Sequence, residues 1–166
     1  MSDQSEDEYV RLIQAHEGII HKVVSLYVDH AEDRKDLFQE VLLQAWKSFG
    51  SFKGQSQFST WLYKVSLNTV LTFRKKETRK KAVERDMEKE DRLISSENKD
   101  NHHLLYEMVR QLPEVDRMLI SLHLDGYKNK EIAEISGMTA NHVNVKIHRL
   151  KQQLIDNFKK ESYGSL

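Results

Sequence analysis

The chain has 166 residues and a mass of 19.6 kDa; 39% of its residues are hydrophobic and 31% charged, a balance that fits one ordinary or two small core-forming domains and excludes a fibrous or largely disordered chain. The absence of Cys excludes disulfides and thiolate metal sites, and apolar runs of only three residues, as in Val41-Leu42-Leu43, exclude a membrane helix, which needs roughly 20. A formal net charge of zero argues at first sight against a nucleic-acid partner.

The opening Met1 to Glu8 is acidic and lacks the basic and apolar regions of a signal peptide, so the expected compartment is the cytoplasm. One Pro, six Gly and abundant Leu, Lys, Glu and Gln favour an all-α fold over a sandwich or barrel. Leu12, Ile13, Ile19, Ile20, Val23, Val24 and Tyr27 recur at three- and four-residue steps and predict an amphipathic helix over residues 7–29. A turn is expected from Asp29 to Asp33, then a second helix from Asp33 to Phe49. Leu37, Val41 and Ala45 form one stripe of that helix; Phe38, Leu42, Trp46 and Phe49 form the next. Residues 1–48 carry 5 Lys/Arg against 10 Asp/Glu. Glycine and serine punctuate Gly50 to Gln57, the clearest loop of this half. Phe58, Trp61, Leu62, Val65, Leu67, Val70 and Phe73 resume a helix that runs into Arg74-Lys75-Lys76, and residues 61–85 hold 8 basic against 2 acidic side chains. Trp61, at helical spacing, reads as core rather than as a stacking platform.

From Glu77 to Asn101 the apolar residues thin to Ala82, Val83, Met87, Leu93 and Ile94 among charges, too few to bury a stable face. This is the expected linker, and residues 86–101 are acidic, with 3 basic against 6 acidic side chains. Leu104, Leu105, Met108, Val109 and Leu112 restart the pattern. Pro113 breaks that helix and suits the first turn of the next, where Glu114 and Asp116 match a helix start. Asp125-Gly126 ends the latter, a short helix runs from Lys130 to Ser136, and Gly137 supplies a tight turn. A longer helix beginning at Thr139 or Ala140 turns Val143, Ile147, Leu150 and Leu154 inward.

A short helix, a glycine turn and a longer helix form a helix-turn-helix pattern, for which an ordinary helical hairpin is the alternative. The outer face of the longer helix is polar and not acidic: residues 138–160 carry 5 basic against 1 acidic side chain. That favours DNA, with Thr139, Asn141, His142, Asn144 and Val145 toward base edges and Lys146, Arg149 and Lys151 toward phosphates. The zero total therefore hides two basic stretches separated by acidic ones.

Leu112-Pro113, Arg117, Leu122, Gly126, Glu131-Ile132-Ala133, Gly137, Val143, Ile147 and Arg149 together resemble region 4 of extracytoplasmic-function sigma factors, in the sigma-70 family of bacterial RNA polymerase. Asp36-Leu37-Phe38-Gln39-Glu40-Val41 and Leu43 resemble region 2.2 of that family; Phe52, Phe58, Trp61-Leu62, Asn68 and Arg74 resemble regions 2.3 and 2.4. The resemblance spans about residues 10–80 and 104–156, in the family's order. It implies two small helical domains, region 2 at 7–78 and region 4 at 104–160, joined by a charged flexible linker at 79–103. Asp36, Gln39, Glu40, Leu43 and Lys47 share one helix face; the resemblance implies that this face binds the clamp helices of the polymerase largest subunit. It likewise implies that the Gly50 to Gln57 loop, with Lys53 and Gln55, captures an unstacked base of the minus-ten element, a task that amide side chains beside aromatics can serve. Asn68, Thr72, Arg74, Lys75, Lys76 and Arg79 follow as base and strand contacts. Region 4 implies minus-thirty-five recognition and a contact to the polymerase flap, and in this family an anti-sigma factor can be a further partner. Asn144 and Val145 stand where Arg and Ser are frequent in the family, so the base contacts of other members do not transfer to them.

The competing readings are a helix-turn-helix regulator that acts without polymerase, and an enzyme. The second has little support: His102-His103 lacks a neighbouring acid cluster, no His-Glu-x-x-His occurs, and no cofactor or metal is called for.

Overall fold

A computed structural model describes residues 3–84 and 101–163 of the chain. The fold is all-helical, with seven α-helices and no strand among the described residues. It divides into two compact units, Met1–Asp91 and Arg92–Leu166. Residues 85–100, the middle of the expected linker, lie outside the described residues.

The first unit packs three helices, α1 (Asp3–Tyr27), α2 (Ala31–Phe49) and α3 (Phe58–Glu84), each against the other two. Their apolar stripes meet in a core of Ile20, Val23, Val24, Leu37, Val41, Ala45, Leu62 and Val70, all essentially inaccessible to solvent. Of the second stripe of α2, Phe38, Leu42 and Trp46 remain half-buried and Phe49 is buried. A separate aromatic cluster closes the loop end, where Phe49, Phe52, Phe58 and Trp61 lie with ring centroids 5.2–6.4 Å apart, mostly edge-on or tilted as ring quadrupoles favour. Tyr9 joins it from α1, edge-on to Phe49, and donates its phenol hydrogen to the Leu42 carbonyl at 2.7 Å. Burial pushes that phenol up to about 12, so it stays protonated and keeps donating.

Three helix boundaries differ from the sequence expectation. α1 ends at Tyr27 rather than at residue 29, and two arginines engage the backbone there: Arg74 Nη1 donates to the Tyr27 carbonyl at 3.1 Å and Arg34 Nε to the Val28 carbonyl at 2.7 Å. Cations there satisfy carbonyls that no helical N–H reaches and complement the negative end of the helix dipole. α2 then starts at Ala31, with Glu32 and Asp33 in its first turn instead of in the connection. α3 also runs farther than the apolar pattern, to Glu84, so helix occupies the start of the expected linker.

The second unit contains α4 (Asn101–Gln111), α5 (Glu114–Leu124), α6 (Asn129–Ser136) and α7 (Ala140–Tyr163). Leu119, Leu122, Ile132 and Val143 are fully buried, and Ile147, Leu150 and Leu154 continue the inner stripe of α7. Arg117 spans the break at Pro113 by donating Nη2 to the Leu112 carbonyl at 3.0 Å. Gly137, at φ 71°, makes the left-handed turn between α6 and α7, and its N–H bonds the Ala133 carbonyl at 2.9 Å. Thr139 caps α7, its hydroxyl accepting the His142 N–H at 3.3 Å.

Candidate nucleic-acid interface

In the first unit the candidate residues occupy the outer side of α2, the loop and α3. Asp36, Gln39, Glu40, Leu43 and Lys47 are all exposed, opposite the buried Leu37, Val41 and Ala45. Leu43 is 45% exposed, an apolar side chain among polar ones on a helix whose core side is already filled. Lys53 and Gln55 flank Gly54, whose φ of 66° reverses the loop and presents both side chains to solvent.

Packing of α2 against α3 brings together residues that the sequence assigned to different partners. A groove of about 620 Å³ is lined by Asp36, Glu40 and Gln44 from α2 and by Asn68, Thr72 and Lys76 from α3, with Leu37, Thr69 and Phe73 completing it. Gln44 Nε2 donates to Glu40 Oε1 at 2.7 Å and orders one acidic wall. Gln44 and Thr69 were not singled out in the sequence; both lie one helical turn from residues that were, Glu40 and Thr72, and that spacing was the available signal. Lys75, Lys76 and Arg79 project from α3 into solvent, whereas Arg74 is half-buried at the end of α1.

In the second unit α7 displays Asn141, His142, Asn144, Val145, Arg149 and Lys151, all exposed. Thr139 is exposed too, with its hydroxyl engaged as the helix cap. Lys146 is set apart: it is half-buried, and its ammonium lies 2.5 Å from Asp116 Oδ1 of α5. The Asn144 side-chain carbonyl accepts a hydrogen bond from the side-chain amide of Asn129, the first residue of α6. Farther along, a shallow trough runs past His148, Arg149, Gln152 and Gln153 to Lys160. His148 and Gln152 continue the face of Asn144 at steps of four, a periodicity that marks them as further candidates.

Among the described residues no group of three or more His, Asp or Glu could hold a metal ion, and no helix is long and apolar enough to cross a membrane.

Comparison with known proteins gives a consistent set of likenesses. Residues 12–80 match Sigma-70 region 2, and residues 102–154 match Sigma-70, region 4. The chain is 32% identical over 155 residues to the ECF RNA polymerase sigma-E factor of Escherichia coli (strain K12), covering 82% of this chain and 80% of that protein. The corresponding factor of Haemophilus influenzae is 26% identical over 161 residues, covering 86% and 83%. Among solved structures, the sigma factor RpoE in complex with the anti-sigma factor NepR from Bartonella quintana superposes with a TM-score of 0.72 at 17% identity, over 95% of this chain and 98% of that one. CnrH in complex with the cytosolic domain of CnrY gives 0.66 at 17% identity, over 93% and 89%. At that identity the two structures speak for the fold.

Proposed function

The chain belongs to the extracytoplasmic-function sigma factors of the sigma-70 family, non-enzymatic subunits of RNA polymerase, and on that premise we propose how its two units divide the work of transcription initiation. The exposed face of α2, centred on Leu43, docks on the clamp helices of the largest core subunit. Leu43 supplies apolar area, while Asp36, Gln39, Glu40 and Lys47 form the polar rim usual around such an anchor. The loop carrying Lys53 and Gln55 captures an unstacked base of the minus-ten element, and Asn68 and Thr72 reach neighbouring base edges. Lys75, Lys76 and Arg79 hold the strand backbone. Arg74, engaged with the end of α1, positions α3 for that task.

In the second unit α7 enters the major groove of the minus-thirty-five duplex. Asn141, His142 and Asn144 meet base edges, Val145 offers an apolar contact to a thymine methyl, and Arg149 and Lys151 meet phosphates. Region 4 also contacts the polymerase flap. By analogy with the two solved complexes, an anti-sigma factor is a further partner, and the cytoplasm is the site of action.

The observation that carries the docking proposal is the 45% exposure of Leu43 opposite a filled core. Leu43→Arg is expected to weaken core binding at least tenfold in a pull-down, with an unchanged circular-dichroism spectrum. Undiminished binding by a folded variant removes the assignment. A multiply substituted loop at Lys53 and Gln55 should keep core binding and lose thymine reactivity to permanganate in the minus-ten region.

A further inference from the structure

Within the reading of α7 as the duplex-reading helix, the Asn129–Asn144 contact decides what one of its side chains can read. An asparagine amide carries one acceptor and one double donor. To recognise adenine it uses both together, accepting from N6 and donating to N7. Here the Asn129 amide from α6 takes one of the two lone pairs of the Asn144 carbonyl and holds that oxygen toward α6, which turns the NH₂ group of Asn144 away from α6 as the group presented to a base edge. A donor alone suits guanine better, whose major-groove edge presents two adjacent acceptors, N7 and O6, than adenine, which offers it N7 alone beside the N6 donor.

We propose that Asn129 is a positioning residue that sets Asn144 as a hydrogen-bond donor and thereby makes it select guanine over adenine at its position in the upstream promoter element. Asn129 need not touch DNA for this. It is half-buried at the start of α6, on the helix-turn-helix element that does not carry the reading face, and Asn144 is exposed on the element that does. The orientation of the amide is thus decided between the two helices rather than within α7. An Asp at position 129 can only accept, so it would draw the Asn144 NH₂ toward α6 and turn the carbonyl outward. Asp is also well placed in the first turn of a helix, so that variant keeps the fold.

The test is transcription by full-length protein in holoenzyme from a promoter library randomised across the upstream element, comparing wild type, Asn129→Ala, Asn129→Asp and Asn144→Ala. Wild type is expected to favour guanine over adenine about tenfold at one position. Asn129→Ala should reduce that ratio to within about twofold by freeing the amide to rotate, Asn129→Asp should invert it toward adenine, and preferences elsewhere should hold. A merely structural role for Asn129 lowers all promoters together and cannot invert one base. If Asn144→Ala abolishes the preference while both Asn129 variants retain it, the positioning role is overturned and base reading by Asn144 stands. If Asn144→Ala changes no preference, or wild type favours adenine, base reading of the proposed kind is overturned along with it.

Discussion

The two units present their candidate contacts in different ways. In the first unit they are distributed over α2, the 50–57 loop and α3, and Asp36 and Glu40 become neighbours of Asn68, Thr72 and Lys76 only because α2 packs along α3. In the second they lie mostly along one helix, α7, whose buried stripe of Val143, Ile147, Leu150 and Leu154 fastens it while the opposite face stays free. A site on one helix is laid out by the helical repeat itself; a site across helices depends on which faces the core selects. The same difference separates cations that look alike in sequence. Arg74 and Lys146 each sit in a basic stretch, yet one serves the end of α1 and the other Asp116 of α5, and their neighbours Lys75 and Arg149 stand in solvent.

The strongest way to break the division into units is to empty the core of one. Leu119 has no solvent exposure, and Leu119→Ala removes buried methyl groups at a cost of about 2–5 kcal/mol, a large part of the stability of a small domain. Hydrogen exchange should then show lost protection over residues 104–160 and retained protection over residues 7–78. Simultaneous loss in both would show one cooperative body.

Arg74 and Lys75 sharpen the contrast between adjacent cations. Arg74→Ala leaves the Tyr27 carbonyl without its charged donor and should lower the stability of the first unit by about 1–3 kcal/mol in urea denaturation. Lys75→Ala should leave that stability unchanged and reduce the salt dependence of promoter binding in holoenzyme by roughly one ion. Equal stability of both variants would remove the anchoring role of Arg74.

A smaller effect is expected at the turn between α6 and α7. Gly137 has open space around it but a positive φ, so Gly137→Ala should cost about 1–2 kcal/mol through backbone strain alone, read as a lowered Tm of the second unit. Smallest is the Asp116–Lys146 pair, which is partly exposed and therefore screened. Lys146→Met should cost less than about 1 kcal/mol and leave the salt slope of DNA binding intact, whereas Arg149→Ala should flatten it. A flattened slope for Lys146→Met would return that residue to the phosphate-contacting set.

Much of this architecture is determined by sequence because it is local. Three- and four-residue apolar steps set out the helices, Gly137 marks the left-handed turn, and the steps of four and three from Val143 to Leu154 separate the inner from the outer face of α7. The resemblance in two blocks, 10–80 and 104–156, identified the family. What only the tertiary structure decided are the long-range pairings: Arg74 with Tyr27, Lys146 with Asp116, Asn129 with Asn144, and the groove that joins α2 to α3. A helix end, too, is partly a tertiary matter, since two arginines from other helices meet the Tyr27 and Val28 carbonyls where α1 stops. The physical reason is common to all of them. Periodicity tells which face of a helix is apolar, but whether a given Arg, Lys or Asn is free to meet a partner depends on which donors and acceptors the packing of distant segments brings within about 3 Å of it.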